Sequence, residues 1–302
     1  MALSFIKSFL KRSDTRQHVY LEIRPDGIAW AEAGGSVGFA DCLPAKRGSV
    51  LRGLVGARAW AGVDTTLVLP MEQYQVFQLE RPEGVEDSEL GDALKWKLKD
   101  ILDFNPSDAV CDVFSFPEDA SRGRGDLVNV VAARKSLVSE LVALVEECDL
   151  ALISIDIAEL ALRNLVPRID PDHRGTAVVH MRERFGQMIV CKGETLYLSR
   201  RLDVTSDDLR DATRQENAVQ SLALEMQRSL DYYESQLGQV PPAVIRLVAR
   251  DNLMPLPSML ASYVAATVET LDWEPYGLDE PLDSRCLVAW GASLFPTGKG
   301  AK

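Results

Sequence analysis

The sequence predicts an α/β protein of two lobes with a mixed sheet in each, and three observations carry that reading. A strand meander, a helix, a strand, a helix and a further strand follow one another in the first half, and the second half repeats the order. A chain of 302 residues can bury two cores. Its composition, 46% hydrophobic and 26% charged, excludes a disordered chain or a collagen-like fibre.

In the first half, VYLEI, IAWAEA and VGFADCL alternate in polarity around the turn residues Pro25-Asp26-Gly27 and Gly34-Gly35, as a three-strand meander does. Leu51 to Trp60 reads as a helix, and TTLVLP from Thr65 and YQVFQLE from Tyr74 read as strands. A helix follows, with Asp87 or Ser88 as its cap and Leu90, Leu94, Leu98, Ile101 and Leu102 at helical spacing, ending before Asn105-Pro106. AVCDVFSF and DLVNVVAAR read as strands joined by a polar loop from Glu118 to Gly125. A helix from Lys135 to Cys148 then leads into the strand ALISIDI.

The second half opens on another meander, TAVVHMRE, FGQMIVCKG and TLYLSRRL. One long helical stretch from Ser206 to Leu237 follows, then strand AVIRLVA, a helix from Leu256 to Ala266, strand VETLDW and a final apolar segment, LVAWGASLF. The predicted organisation is an N-terminal segment over 1–16, a first lobe over 17–165 with an inserted subdomain at about 80–134, a second lobe over 166–296, and a tail over 297–302. Pro167, Pro171 and charged residues place the linker between Asn164 and Arg174.

In the first dozen residues Leu3, Ile6 and Leu10 share a helical face, Phe5 and Phe9 lie beside it, and Lys7, Lys11 and Arg12 lie toward the flank. Such a basic amphipathic helix suits either an anionic membrane surface or partner, or packing on its own domain. No apolar run approaches the roughly eighteen residues of a spanning helix, and no cleavable leader pattern is visible. A formal charge of −12 argues against a nucleic-acid partner. Five scattered cysteines predict reduced thiols, and His18, His173 and His180 form no metal-ligand pattern, so no metal is expected.

Three segments in order, ALKWKLKDILDFNPSDAVCDVFSFP (Ala93 to Pro117), ISIDIAELALRNL (Ile153 to Leu165) and LALEMQRSLDYYESQLGQVPPAVIRL (Leu222 to Leu247), resemble the PilM family of type IV pilus assembly proteins. The resemblance runs from about His18 to Phe295 and is strongest to the MshI branch, which serves mannose-sensitive haemagglutinin (MSHA) pili. It implies an actin-like (ribonuclease H-like, duplicated) fold, related to FtsA and to the cytoplasmic part of GspL. It also implies a cytoplasmic protein, peripheral at the bacterial inner membrane. Its partner would be the cytoplasmic N-terminal tail of a bitopic protein resembling PilN, called MshJ in the haemagglutinin system.

Actin-like lobes hold ATP on glycine-bearing turns whose backbone N–H groups approach the phosphates. Where the family's first hairpin carries a Gly-Ser turn, this chain has Arg24-Pro25-Asp26-Gly27: proline removes a donor and Asp26 adds a negative charge. At the second phosphate loop Met181, Arg182 and Glu183 stand where Asp-Ile-Gly is expected, leaving Gly186. At the adenosine segment Ala249-Arg250 replaces a glycine pair. The expectation is a degenerate nucleotide site with no cofactor, no catalytic residue and no enzymatic activity. The alternatives are an ATP- and Mg-binding switch protein of pilus or type II secretion assembly, and a small-molecule kinase using Asp156 or Asp64.

Gly34-Gly35-Ser36-Val37-Gly38 has no lysine and no following helix, and reads as a hairpin turn. Trp96, Phe104, Phe114 and Phe116 fall in the segment that forms the family's small subdomain beside the groove for the partner's tail. Core packing and anchoring of a peptide compete for each, with Lys95, Lys97, Lys99 and Asp100 at the rim. Tyr232-Tyr233 reads as interlobe packing.

Overall fold

The computed structural model describes residues 17–123, 125–170, 174–250 and 255–294. The expectations for Leu3, Phe5, Ile6, Phe9, Leu10 and the tail lie outside these residues.

In the first half the strands are β1 (His18–Ile23), β2 (Gly27–Glu32), β3 (Val37–Asp41), β4 (Asp64–Leu69), β5 (Tyr74–Glu80), β6 (Ala109–Ser115), β7 (Leu127–Arg134) and β8 (Ala151–Ile157). The helices are α1 (Arg47–Arg58), α2 (Leu90–Lys95), α3 (Lys135–Glu146) and α4 (Ala158–Arg163). The second half adds α5 (Val166–Ile169), β9 (Thr176–Met181), β10 (Gly186–Lys192), β11 (Thr195–Leu202), α6 (Ser206–Arg210), α7 (Gln215–Ser235), β12 (Val244–Val248), α8 (Leu256–Leu260), β13 (Thr267–Thr270) and α9 (Leu287–Ser293).

One five-stranded sheet has the order β3-β2-β1-β4-β8, and another has the order β11-β10-β9-β12-β13. In each, an antiparallel meander is followed by two strands parallel to its first. The duplication read from the sequence is therefore a duplication of topology. Strands buried on both faces read as continuous apolar runs, and β1, β4, β9 and β10 are buried almost throughout.

Among the described residues, one compact unit comprises 17–118, 123–161 and 288–294, and the other 119–122 and 162–287. The sequence boundary at 165/166 lies four residues further on. The final apolar segment is helix α9, and its residues from Val288 onward belong to the first unit, not to the second lobe. A helix is assigned by the core its apolar face joins, which its own sequence does not state.

The inserted subdomain is a separate three-stranded antiparallel sheet, β5-β7-β6, beginning at Tyr74 rather than near residue 80. The helix expected over 87–102 is shorter: α2 lies between 3₁₀ turns at Asp87–Glu89 and Trp96–Leu98, and no side chain caps it. Gly91 explains its close approach to β6, since a Cβ there would meet the carbonyl oxygen of Cys111 at 2.4 Å. Leu94 and Leu98 pack on Val128, Val130 and Ala132, with Leu102 and Phe104 alongside.

The stretch expected as one helix from Ser206 to Leu237 breaks after Arg210. Asp211 accepts from the backbone N–H (2.9 Å) and hydroxyl (2.6 Å) of Thr213, a local turn that competes with helix continuation. Tyr233 is buried inside the second unit, edge-on to Tyr197 with centroids 5.9 Å apart, and Arg200 lies over the Tyr232 ring at 4.7 Å. All five cysteines are free thiols; Cys148, Cys191 and Cys286 are buried, Cys42 and Cys111 half-buried. No described helix is long and apolar enough to cross a membrane.

Candidate functional sites

The turn between β1 and β2 is closed by its own side chains. Arg24 is 4% exposed, and its Nε and Nη2 donate to the two carboxylate oxygens of Asp26 at 2.9 and 3.0 Å. Its backbone N–H donates to the Gly27 carbonyl at 2.9 Å. The turn's carbonyls are also engaged: Arg47 donates to Arg24 O (2.8 Å), Gln73 to Ile23 O (3.4 Å) and Cys42 N to Asp26 O (3.1 Å). Pro25 supplies no donor. Gly27 lies against the Phe39 ring, where a Cβ would sit 2.5 Å from Cζ and 2.5 Å from Ala40 O. Glycine is needed here to admit a neighbouring ring.

In the turn between β9 and β10, Arg182 N donates to Phe185 O at 2.9 Å, and the Ser206 hydroxyl donates to Arg182 O at 2.8 Å. Arg182 is buried, its guanidinium carbon 5.6 Å from the Phe185 ring centroid. Gly186 faces Met181, whose sulfur would lie 2.8 Å from an added Cβ. Arg250, beside Ala249 past the end of β12, donates to Glu183 at 2.9 Å, and Arg210 meets the same carboxylate at 3.5 Å. The second-turn and adenosine positions are thus joined by an ion-pair network.

These observations test the fit of a nucleotide. A phosphate cradle needs backbone N–H groups that a ligand can reach and glycine faces open to it. Here the glycine faces hold Phe39 and Met181, and the charges of Arg24, Asp26, Glu183 and Arg250 are spent on one another. At each turn, taken by itself, the glycine face and the side-chain charges are engaged within the protein. Asp64 and Asp156 lie on one face of the first sheet: Asp64 opposes His18, and Asp156 opposes Val68 and accepts from Ile157 N at 2.8 Å. On this face His18, stacked on Tyr20 at 4.4 Å, bonds to the Thr66 hydroxyl at 2.8 Å, and Thr66 to Ser154 at 2.7 Å. Burial, with Asp156 nearby, pushes the Tyr20 hydroxyl up to about 12.

The small sheet offers a different surface. The register stacks Phe77, Val130 and Val113 on one face, which α2 covers together with Phe104. Gln78, Asn129 and Phe114 are opposed on the other face. Phe104 and Phe114 are therefore separated by the sheet, and Phe116, just past β6, is buried. Of the four aromatics weighed between core packing and peptide anchoring, Phe116 is buried, Phe104 packs on the core face of the sheet, Phe114 lies on the opposite face, and they do not form one cluster. Trp96 stands apart from the core: it is 66% exposed, whereas Leu94 and Leu98 on either side are fully buried.

Among the described strands β5 is paired only with β7, so its other edge has no strand partner, although Asp103 N donates to the Gln75 side chain of β5 at 3.3 Å. Gln78, Leu79 and Glu80 of β5, Leu127 of β7 and Lys97 line an open depression of about 510 Å³. Val76 on the same strand is 36% exposed and Ile101 is 51% exposed. Reading by residue type singled out the aromatics and missed Gln78, Leu79 and Glu80. The available signal was the alternation of YQVFQLE ending at Arg81-Pro82, as in an edge strand.

No protein-family model and no curated protein matches the sequence. Solved structures do match it. A PilM–PilN type IV pilus biogenesis complex is similar over 92% of this chain and 97% of its own, at 18% identity and a TM-score of 0.72. The cytoplasmic domain of EpsL, an inner-membrane component of the type II secretion system of Vibrio cholerae, is similar over 91% and 94%, at 13% identity and a TM-score of 0.54. A Bacteroides thetaiotaomicron protein with an actin-like ATPase fold and unknown function is similar over 90% and 95%, at 9% identity and a TM-score of 0.53. The chain has the actin-like fold.

Proposed function

We propose that this protein is a PilM-like scaffold of a type IV pilus assembly platform, of the MshI kind, which captures the cytoplasmic tail of a bitopic inner-membrane partner resembling PilN or MshJ. It acts as an adaptor, without nucleotide and without catalysis. The observation that carries the reading is the edge of β5 that no described strand pairs, in the same subdomain as exposed Trp96, whose neighbour in sequence, Lys97, lines the depression. An edge strand offers main-chain hydrogen bonds to an extended peptide, and a partly exposed tryptophan offers the rigid apolar anchor such interfaces use. The likeness to a PilM–PilN complex and to the cytoplasmic domain of an inner-membrane secretion component supports this context. In this reading the protein works in the cytoplasm at the inner membrane, where the basic amphipathic N-terminal segment adds a weak second contact.

The test is titration of the purified protein with a synthetic peptide of the partner's first twenty or so residues. Binding at micromolar strength or tighter is expected; no binding at millimolar peptide overturns the proposal. Filled glycine faces at both turns speak against the ATP-switched alternative and against a kinase.

A further inference from the structure

The edge strand proposed to receive the peptide is held at both of its ends. At its start the Tyr74 hydroxyl donates to Glu159 Oε2, across 85 positions of sequence, with Tyr74 7% and Glu159 1% exposed. The preceding residue, Gln73, donates to the carbonyl of Ile23 at 3.4 Å. Just past its other end Arg81 N donates to Asp126 O at 2.8 Å, and the Arg81 guanidinium pairs with Asp87. Between these holds the strand is paired only with β7, and its last three residues line the depression.

A strand held by one neighbour frays, and a frayed edge must be ordered again before a peptide can pair with it, at a cost in affinity. The Tyr74–Glu159 bond joins two buried groups, where low local polarity strengthens a hydrogen bond and solvent does not compete for it, so it is the firmest of these holds. The Arg81–Asp87 pair, by contrast, is largely solvated. We infer that Tyr74 and Glu159 are positioning residues for the peptide groove: their bond keeps β5 pre-ordered as a pairing edge, though neither side chain lines the depression. Gln78 to Glu80 stand roughly 13–20 Å along the strand from Tyr74, at about 3.3 Å per residue. The inference rests on the peptide-binding reading above and names what tunes it.

The test compares wild type, Tyr74→Phe and Glu159→Gln by titration with the partner's N-terminal peptide and by hydrogen exchange of the β5 amides in the free protein. Tyr74→Phe is expected to weaken the peptide about tenfold and to speed exchange at Val76 to Leu79 by a similar factor. Glu159→Gln, which keeps a carbonyl to accept the Tyr74 proton, is expected to stay within about threefold of wild type in both. Should Tyr74→Phe fail to fold, Tyr74→Phe combined with Glu159→Leu removes both polar groups together and is expected to show the same weakened binding.

Unchanged affinity in Tyr74→Phe overturns the inference, as does weakened affinity with unaltered β5 exchange. A Glu159→Gln variant as impaired as Tyr74→Phe overturns the hydrogen-bond assignment. Wild type that binds no peptide overturns the functional reading itself, and this inference with it.

Discussion

Arg24 and Asp26, two residues apart on one tight turn, close a bidentate ion pair on each other at 2.9 and 3.0 Å. An arginine beside a turn glycine could have served a phosphate, yet its two donors are turned inward onto a carboxylate of the same turn. The expected consequence is a folded state that Mg-ATP does not stabilise. A melting temperature that stays constant as Mg-ATP rises to several millimolar is predicted, because only a ligand that binds the folded form raises it with concentration.

The same pair has a cost when broken. Asp26→Ala leaves a guanidinium that is 4% exposed without its carboxylate. Removing one partner of a fully buried pair costs about 3–5 kcal/mol; Asp26 is 40% exposed, so solvent screening lowers the expected loss to about 1–2 kcal/mol, read from urea denaturation.

Trp96→Ala is predicted to separate binding from stability. With 66% of its surface exposed, the indole contributes little to folding, and the unfolding free energy should move by less than about 0.5 kcal/mol. Peptide affinity should fall about tenfold or more in the same titration. Leu98→Ala, one layer inward and fully buried, should do the reverse first, costing about 2–5 kcal/mol of stability.

Two glycine substitutions should act in opposite directions. Gly27→Ala forces a Cβ to within 2.5 Å of the Ala40 carbonyl oxygen and should destabilise the protein by several kcal/mol, or about 2 at the least. Gly53→Ala, on the exposed side of α1 with nothing within 4 Å, should stabilise by about 0.5–1 kcal/mol. Thermal unfolding of both variants distinguishes a glycine kept for packing from one that is merely tolerated.

Burial holds the His18 imidazole below its ordinary pKa of 6.5, with Asp64 opposing the shift. The unfolded chain therefore binds this proton more readily than the folded one. The contribution to stability is present above about pH 6.5 and is lost as pH falls through the lower folded value. Urea midpoints measured from pH 7.5 to 5 should decline, and His18→Gln should flatten that part of the decline.

The repeated order of strands and helices, the hairpin turns and the apolar stripes of Leu94 and Leu98 were legible in the chain, because local periodicity and turn chemistry are properties of neighbours in sequence. Gly34 takes φ +64°, as a hairpin turn requires. The substitutions at Arg24 to Gly27 and at Arg182 to Gly186 were visible as departures from a phosphate-binding pattern. What fills the space those glycines leave was not visible, since Phe39 and Met181 reach it only through strand pairing. The sequence likewise placed Trp96 and the phenylalanines in one segment, but only the register of β5, β6 and β7 put Phe104 and Phe114 on opposite faces and left Trp96 in solvent. Local pattern determines which elements form; which edge stays open, which core claims α9 and which carboxylate meets Tyr74 are set by contacts between residues far apart in the chain, and those exist only once it has folded.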